Sequence, residues 1–128
     1  MKKILLVIFL LGLTVLAPAQ KISWLQGKWT GTASQPDAAT QPTWKIELTC
    51  KGSICNIKYP SFPCGGKWHL QKLESNNATF VEKLSFGQDK CMDNGMVIVK
   101  LIDNNYCDVE YYDGKSLIAT ARIKKEMR

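Results

Sequence analysis

From Thr43 to Cys50 the chain alternates strictly: Trp44, Ile46, Leu48 and Cys50 are apolar, and Lys45, Glu47 and Thr49 between them are polar. A period of two throws successive side chains to opposite faces of an extended chain, so the segment reads as a half-buried β-strand. The signature recurs in runs near 24–34, 43–49, 54–59, 66–73, 78–86, 95–102, 106–112 and 117–124, parted by glycine, proline, asparagine and aspartate. Most of the connections are short, which predicts antiparallel hairpins between neighbours. Consecutive antiparallel strands with one apolar face predict an all-β fold, an eight-stranded up-and-down barrel, because closure removes exposed edges. The alternative is a two-sheet β-sandwich, whose Greek-key crossovers need longer connections.

Parity fixes registers. Pairing Cys50 with Cys55 sets Leu48 opposite Ile57 and Ile46 opposite Tyr59, so the apolar faces coincide and a disulfide can close this hairpin. The Asp103-Asn104-Asn105 turn sets Leu101, Val99 and Val97 opposite Cys107, Val109 and Tyr111. Around Asp113-Gly114, a strict two-residue turn would bury Ile118, Thr120 and Arg122. A three-residue loop including Lys115 would bury Leu117, Ala119, Ala121 and Ile123, and is expected because it buries no charge. In the fifth strand Glu82 shares the inward parity of Phe80, Leu84 and Phe86. A turn centred on Asn76 would set Glu82 opposite Leu70 and Leu84 opposite Trp68. An inward carboxylate needs a partner. Tyr59, Tyr111 or Arg122 could supply it, or else ligand or water in a cavity; a bulge turning Glu82 outward is the alternative.

Alternate loops of a meander share an end. Ser34–Pro42, Pro60–Gly65, Gly87–Asn94 and the Asp113-Gly114 turn gather at one end, and the tight turns near Gly52, Asn76 and Asn104 at the other. One end therefore reads as open and one as closed. The mouth of a small barrel is a usual place for a ligand, although a barrel of this size can equally be filled by its own side chains.

The first 19 residues read as a cleaved signal peptide: Lys2 and Lys3, an apolar run Ile4–Leu16, then Ala17-Pro18-Ala19. The run is short for a membrane span, which takes about 20 apolar residues. Residues 20–128 are then a single barrel domain, secreted or periplasmic, with no membrane insertion once the signal is removed. The formal charge is +6, of which Lys2 and Lys3 carry two, and the remaining lysines are dispersed along the chain. No basic stripe with interleaved aromatics is present, so no nucleic-acid partner is expected.

The five cysteines, Cys50, Cys55, Cys64, Cys91 and Cys107, lack zinc-site spacing and accompany a single histidine. No metal and no cofactor are expected, and export predicts disulfides. Enzyme signatures are thin. Ser61 has no evident His/Asp partners, and His69 alternates with Trp68 and Leu70, so it should face solvent without a positioned partner. Asp89, Asp93, Asn94 and Gly95 lack the bidentate glutamate that ends an EF-hand and read as an Asx-rich turn.

Gly27-Lys28-Trp29 resembles the G-x-W motif of lipocalins and other calycin barrels. The resemblance implies that Trp29 packs at the closed end beneath a basic residue of the last strand, Arg122 or Lys124. A second resemblance spans about Trp24 to Lys124. Tyr59-Pro60-Ser61-Phe62-Pro63-Cys64-Gly65-Gly66, with Phe86-Gly87 and Cys91-Met92-Asp93-Asn94-Gly95, is similar to a small exported bacterial domain with the pattern Y-P-S-x-x-C-G-G followed by G-x-x-x-C-x-D-x-G. It implies a Cys64–Cys91 disulfide and says nothing of a ligand; the two loops also share the open end. Cys107 is then the unpaired thiol, facing inward beside Leu101.

The expected function is a non-catalytic, monomeric binding protein that holds a small apolar or amphipathic ligand at the open end, with Trp44, Tyr59, Phe62, Trp68, Glu82 and Tyr111 as binding residues. The alternative is a protein-binding module or enzyme inhibitor that uses the disulfide-clamped loop 60–65 as a wedge. The partner, small molecule or protein, is not specified by the residues.

Overall fold

The structure, a computed structural model, describes residues 21–127. The segment 1–19 read as a signal peptide lies outside the described residues. A 3-10 turn, Ser23–Leu25, is followed by eight strands: β1 Gly27–Ser34, β2 Thr43–Lys51, β3 Ile54–Tyr59, β4 Cys64–Leu73, β5 Asn77–Phe86, β6 Met96–Leu101, β7 Tyr106–Asp113 and β8 Ser116–Lys125. Each strand pairs antiparallel with the next, and β8 returns to β1, closing the barrel. The barrel expected from the alternation is the fold, and the sandwich is excluded.

In β2, burial alternates without exception, with Trp44, Ile46, Leu48 and Cys50 inside. Leu48 faces Ile57 and Cys50 faces Cys55, with a disulfide between the two cysteines. In the β6–β7 hairpin, Leu101, Val99 and Val97 face Cys107, Val109 and Tyr111, as parity requires.

Bulges correct the remaining expectations. In β8, Asp113 pairs with Ser116 across a two-residue turn, Tyr112 pairs with Leu117 and Tyr111 with Ala119, leaving Ile118 as an extra residue. Ala119, Ala121 and Ile123 are buried as expected, but Leu117 is 51% exposed. The expected three-residue loop does not form: the turn is the two residues Gly114-Lys115, and the bulge at Ile118 restores the inward parity of Ala119, Ala121 and Ile123 that the loop was expected to set. The β4–β5 turn is centred between Ser75 and Asn76 rather than on Asn76, and Gln71 is a similar extra residue in β4; each moves the pairing by one residue, so Glu82 lies opposite Trp68 rather than Leu70, and Leu84 opposite Gly66 rather than Trp68. That shift of two residues preserves parity, and Glu82 remains inside. Ser85 is a third extra residue. It turns Phe86 out of the expected inward set; the ring is 49% exposed and lies over Gly65, leaving no room there for a Cβ.

The expected first strand began at residue 24. Residues 23–25 instead form a 3-10 turn across the bottom of the barrel, with Ile22 and Leu25 fully buried. The Gln26 side chain pins the turn, donating to the Ile22 and Gly52 carbonyls and accepting from the Gly52 N–H. Trp29 is buried beneath it and donates its indole N–H to the Leu25 carbonyl at 3.0 Å. The cation over the Trp29 ring is Lys125, 5.9 Å from the centroid. Arg122 does not take that role. It pairs with Thr32 on the outward parity and holds Asp108 at 2.9 Å on the surface. Lys124 faces the same way and sits over Tyr106. Cys107 is buried in this half of the barrel with no disulfide partner.

Among the described residues, no helix is long and apolar enough to cross a membrane.

Candidate functional site

The six residues expected to bind gather at the open end. Trp44 of β2 crosses Tyr59 of β3 at 5.2 Å and 83°, and Tyr111 of β7 at 5.1 Å and 67°. Phe62, in the loop after β3, sits 6.4 Å from Trp44. Trp68 of β4 lies 6.2 Å from Tyr111 and leans on Phe80 below. Small residues make the space: Trp44 faces Ala33, and Tyr111 faces Ala119. Large and small side chains interdigitate in this way where a layer must hold several rings.

Glu82 sits among these rings and is 4% exposed. One carboxylate oxygen, Oε2, accepts from the Tyr59 hydroxyl and from the Trp68 indole N–H, the latter at 2.8 Å. The Tyr111 hydroxyl is 3.2 Å from that of Tyr59. Tyr59 has one proton; with that proton given to Glu82, Tyr111 donates to Tyr59 and the three groups form a relay. Of the partners expected for Glu82, Tyr59 is direct and Tyr111 acts through it. Arg122 is absent from the site, and Trp68 was not expected as a donor.

The other oxygen, Oε1, takes no hydrogen bond from any described residue. Every fully enclosed side-chain polar atom among the described residues has a partner. Oε1 is therefore not fully enclosed, and Glu82 contributes to the wall of the cleft. Burial raises the Glu82 carboxyl above its usual range, Tyr59 and Trp68 oppose that by stabilising the charge, and Asp93 adds a smaller push upward. Tyr59 and Tyr111 are pushed well above the ordinary phenol range, chiefly by burial.

The backbone of Glu82 is fixed by the loop before β6. Glu82 N–H donates to the Gly95 carbonyl and Asn94 N–H to the Glu82 carbonyl, both at 2.9 Å. Asp93 Oδ1 accepts from the Leu84 and Asn94 N–H groups. Asn94 adopts φ 62°, a left-handed conformation that asparagine tolerates. The Asp93-Asn94-Gly95 sequence thus acts as a clamp on β5. Cys64–Cys91 anchors the other side of the same loop. Gly87, at φ 75°, lets it come against Pro63 and Cys64, where a Cβ would collide.

The cleft above Oε1 has a volume of about 220 Å³. Trp44, Tyr59, Phe62 and Tyr111 contribute to its wall, with Gln35, Lys90, Met92 and Ile118 at the rim. Gln35 accepts from the Trp44 indole at 3.3 Å. Sequence reasoning missed these rim residues. They sit in loops or on the β8 bulge, where no period predicts direction. Trp68 lies under the carboxylate rather than in the wall. The loop 60–65 is clamped as expected, but Phe62 is half-buried and turned onto Trp44.

His69 is exposed on the outer face of β4. No group of three potential metal ligands occurs among the described residues.

The chain matches no protein-family model, no curated protein and no solved structure.

Proposed function

We propose that this is an exported, non-catalytic binding protein that holds a small amphipathic ligand at the open end of a calycin-like barrel. The single observation that carries the reading is the second oxygen of Glu82. It belongs to a nearly buried carboxylate that lines an aromatic-walled cleft, its twin is held by two donors, and it takes no hydrogen bond from any described residue. Binding sites combine apolar walls with a few fixed polar groups in this manner. A carboxylate kept there at a cost in desolvation is better explained by a ligand than by packing.

The cleft is smaller than the roughly 300–1,000 Å³ of drug-sized sites. A cavity of about 150 Å³ suffices for a benzene-sized molecule, so a ring with a short polar substituent fits. Two disulfides support export to an oxidising compartment, secreted or periplasmic. The inhibitor reading has less support: a wedge needs an exposed apolar tip, and Phe62 packs inward.

Native mass spectrometry of protein purified from its own source tests the proposal. A discrete small-molecule adduct, lost on denaturation and displaced by the bulky substitution Ala119→Phe, is expected. A bare mass in every preparation, with no fragment-sized compound shifting the indole N–H signals of Trp44 and Trp68, would reject it.

A further inference from the structure

We propose that the cleft takes a small organic cation, an ammonium or amidinium on a ring-sized apolar body, whose N–H group donates to Glu82 Oε1. This rests on the reading of the open end as a ligand site and names the class of ligand.

The donor geometry points that way. Tyr59 and Trp68 both donate to Oε2 and together occupy its accepting positions. Oε1 is left to accept, and the group that satisfies an ionised carboxylate best is a charged donor. The wall chemistry agrees. Trp44, Tyr59 and Tyr111 meet at steep angles around the carboxylate, and aromatic rings attract cations through their quadrupole. Asp93, whose carboxylate caps the Leu84 and Asn94 N–H groups beside Glu82, adds a small push that raises the Glu82 carboxyl through charge repulsion, so two carboxylates lie close together on this side of the site. A small anion would meet both charges. Among the described residues, the one cationic side chain in the wall is Lys90, an exposed residue of the β5–β6 loop whose charge is screened by solvent.

The same geometry makes the site respond to pH. The titratable groups facing the carboxylate are Tyr59 from β3, Tyr111 from β7, and Asp93 and Lys90 from the β5–β6 loop. The tyrosines are held neutral by burial. One proton is therefore decisive, and because both accepting positions of Oε2 are occupied, it resides on Oε1, where it competes with the cation. Binding should weaken as pH falls through the raised range of Glu82, approaching tenfold per pH unit below it.

The test uses benzylammonium, with benzyl alcohol and benzoate as neutral and anionic counterparts of the same size, titrated into the full mature protein. The indole N–H signals of Trp44 and Trp68 are followed by NMR at several pH values. The expected result is saturable binding of benzylammonium, at least tenfold tighter than either counterpart and weaker at lower pH. Glu82→Gln should lose that preference. Lys90→Gln, at an exposed position, should tighten the cation by about two- to fivefold, the scale of an exposed charge pair. If Glu82→Gln does not fold, the pH series and Lys90→Gln still decide. Saturable binding of benzoate or benzyl alcohol in preference to the cation, with Lys90→Gln weakening benzoate, would overturn the ligand class and leave the site standing. No response from any of the three compounds would overturn both.

Discussion

The two ends of the barrel are built on opposite principles. At the closed end, the Ser23–Leu25 turn, Ile22, Leu25 and Trp29 exclude water, and the main polar contacts tie the turn to the barrel floor. At the open end, rings of comparable size surround a carboxylate, and its loops are held by a disulfide and an Asp93-Asn94 clamp. Both ends contain a tryptophan and a disulfide, yet one is packed for stability and the other organised around a charge. Satisfied and half-satisfied polar groups mark the difference. Among the described residues, the polar groups that tie the closed end together are paired, whereas at the open end Glu82 Oε1 takes no hydrogen bond.

The largest test of this contrast compares tryptophans. Trp29→Ala removes a fully buried ring and the bond to Leu25, and should cost about 3–5 kcal/mol by urea denaturation. Trp44→Ala opens a ring that already borders the cleft, and should cost less, near or below about 3 kcal/mol, since water can enter the space. Equal losses would remove the distinction between the ends. The disulfides come next. Cys64–Cys91 closes 27 residues and Cys50–Cys55 closes 5. In the chain-entropy model, replacement of each pair by serine costs about 3.5 and about 2 kcal/mol respectively. If the short bridge proves the more stabilising, native-state effects at the β2–β3 turn outweigh chain entropy.

A smaller effect concerns pH. The Glu82 carboxyl is raised in the folded state from its ordinary 4.5. Between those two values the folded chain binds more protons than the unfolded chain, so its stability contribution is full below about pH 4.5 and is lost as pH rises through the folded value. The difference in stability between wild type and Glu82→Gln should follow that slope in denaturation series across the window. A flat difference would place the carboxylate in a water-like environment.

The smallest effect on stability is the sharpest probe of the closed end. Burial pushes the Cys107 thiol up to about 12 from 9.0. Alkylation of native protein near pH 8 should then be about a thousandfold slower than for an ordinary thiol, on thiolate fraction alone. Ligand at the open end should leave that rate unchanged. Rapid labelling would mean that the closed end opens.

Alternation alone determined the eight strands apart from the start of the first, the inward set Trp44, Tyr59, Trp68, Glu82 and Tyr111, the Cys50–Cys55 register and the separation of long loops from tight turns. These follow from a property two residues long, which every segment carries by itself. The tertiary structure decided what sits level with what. The β4–β5 turn and the bulge at Gln71 together moved Glu82 opposite Trp68, the bulge at Ser85 turned Phe86 outward, and the bulge at Ile118 brought that residue to the rim. Lys125 rather than Arg122 or Lys124 covered Trp29, because closure of β8 on β1 placed it there. A bulge changes register by one residue at a local cost that periodicity does not record. Which carboxylate oxygen is paired, and which is left for the cleft, depends on two donors brought from separate strands, and no segment of the sequence contains both.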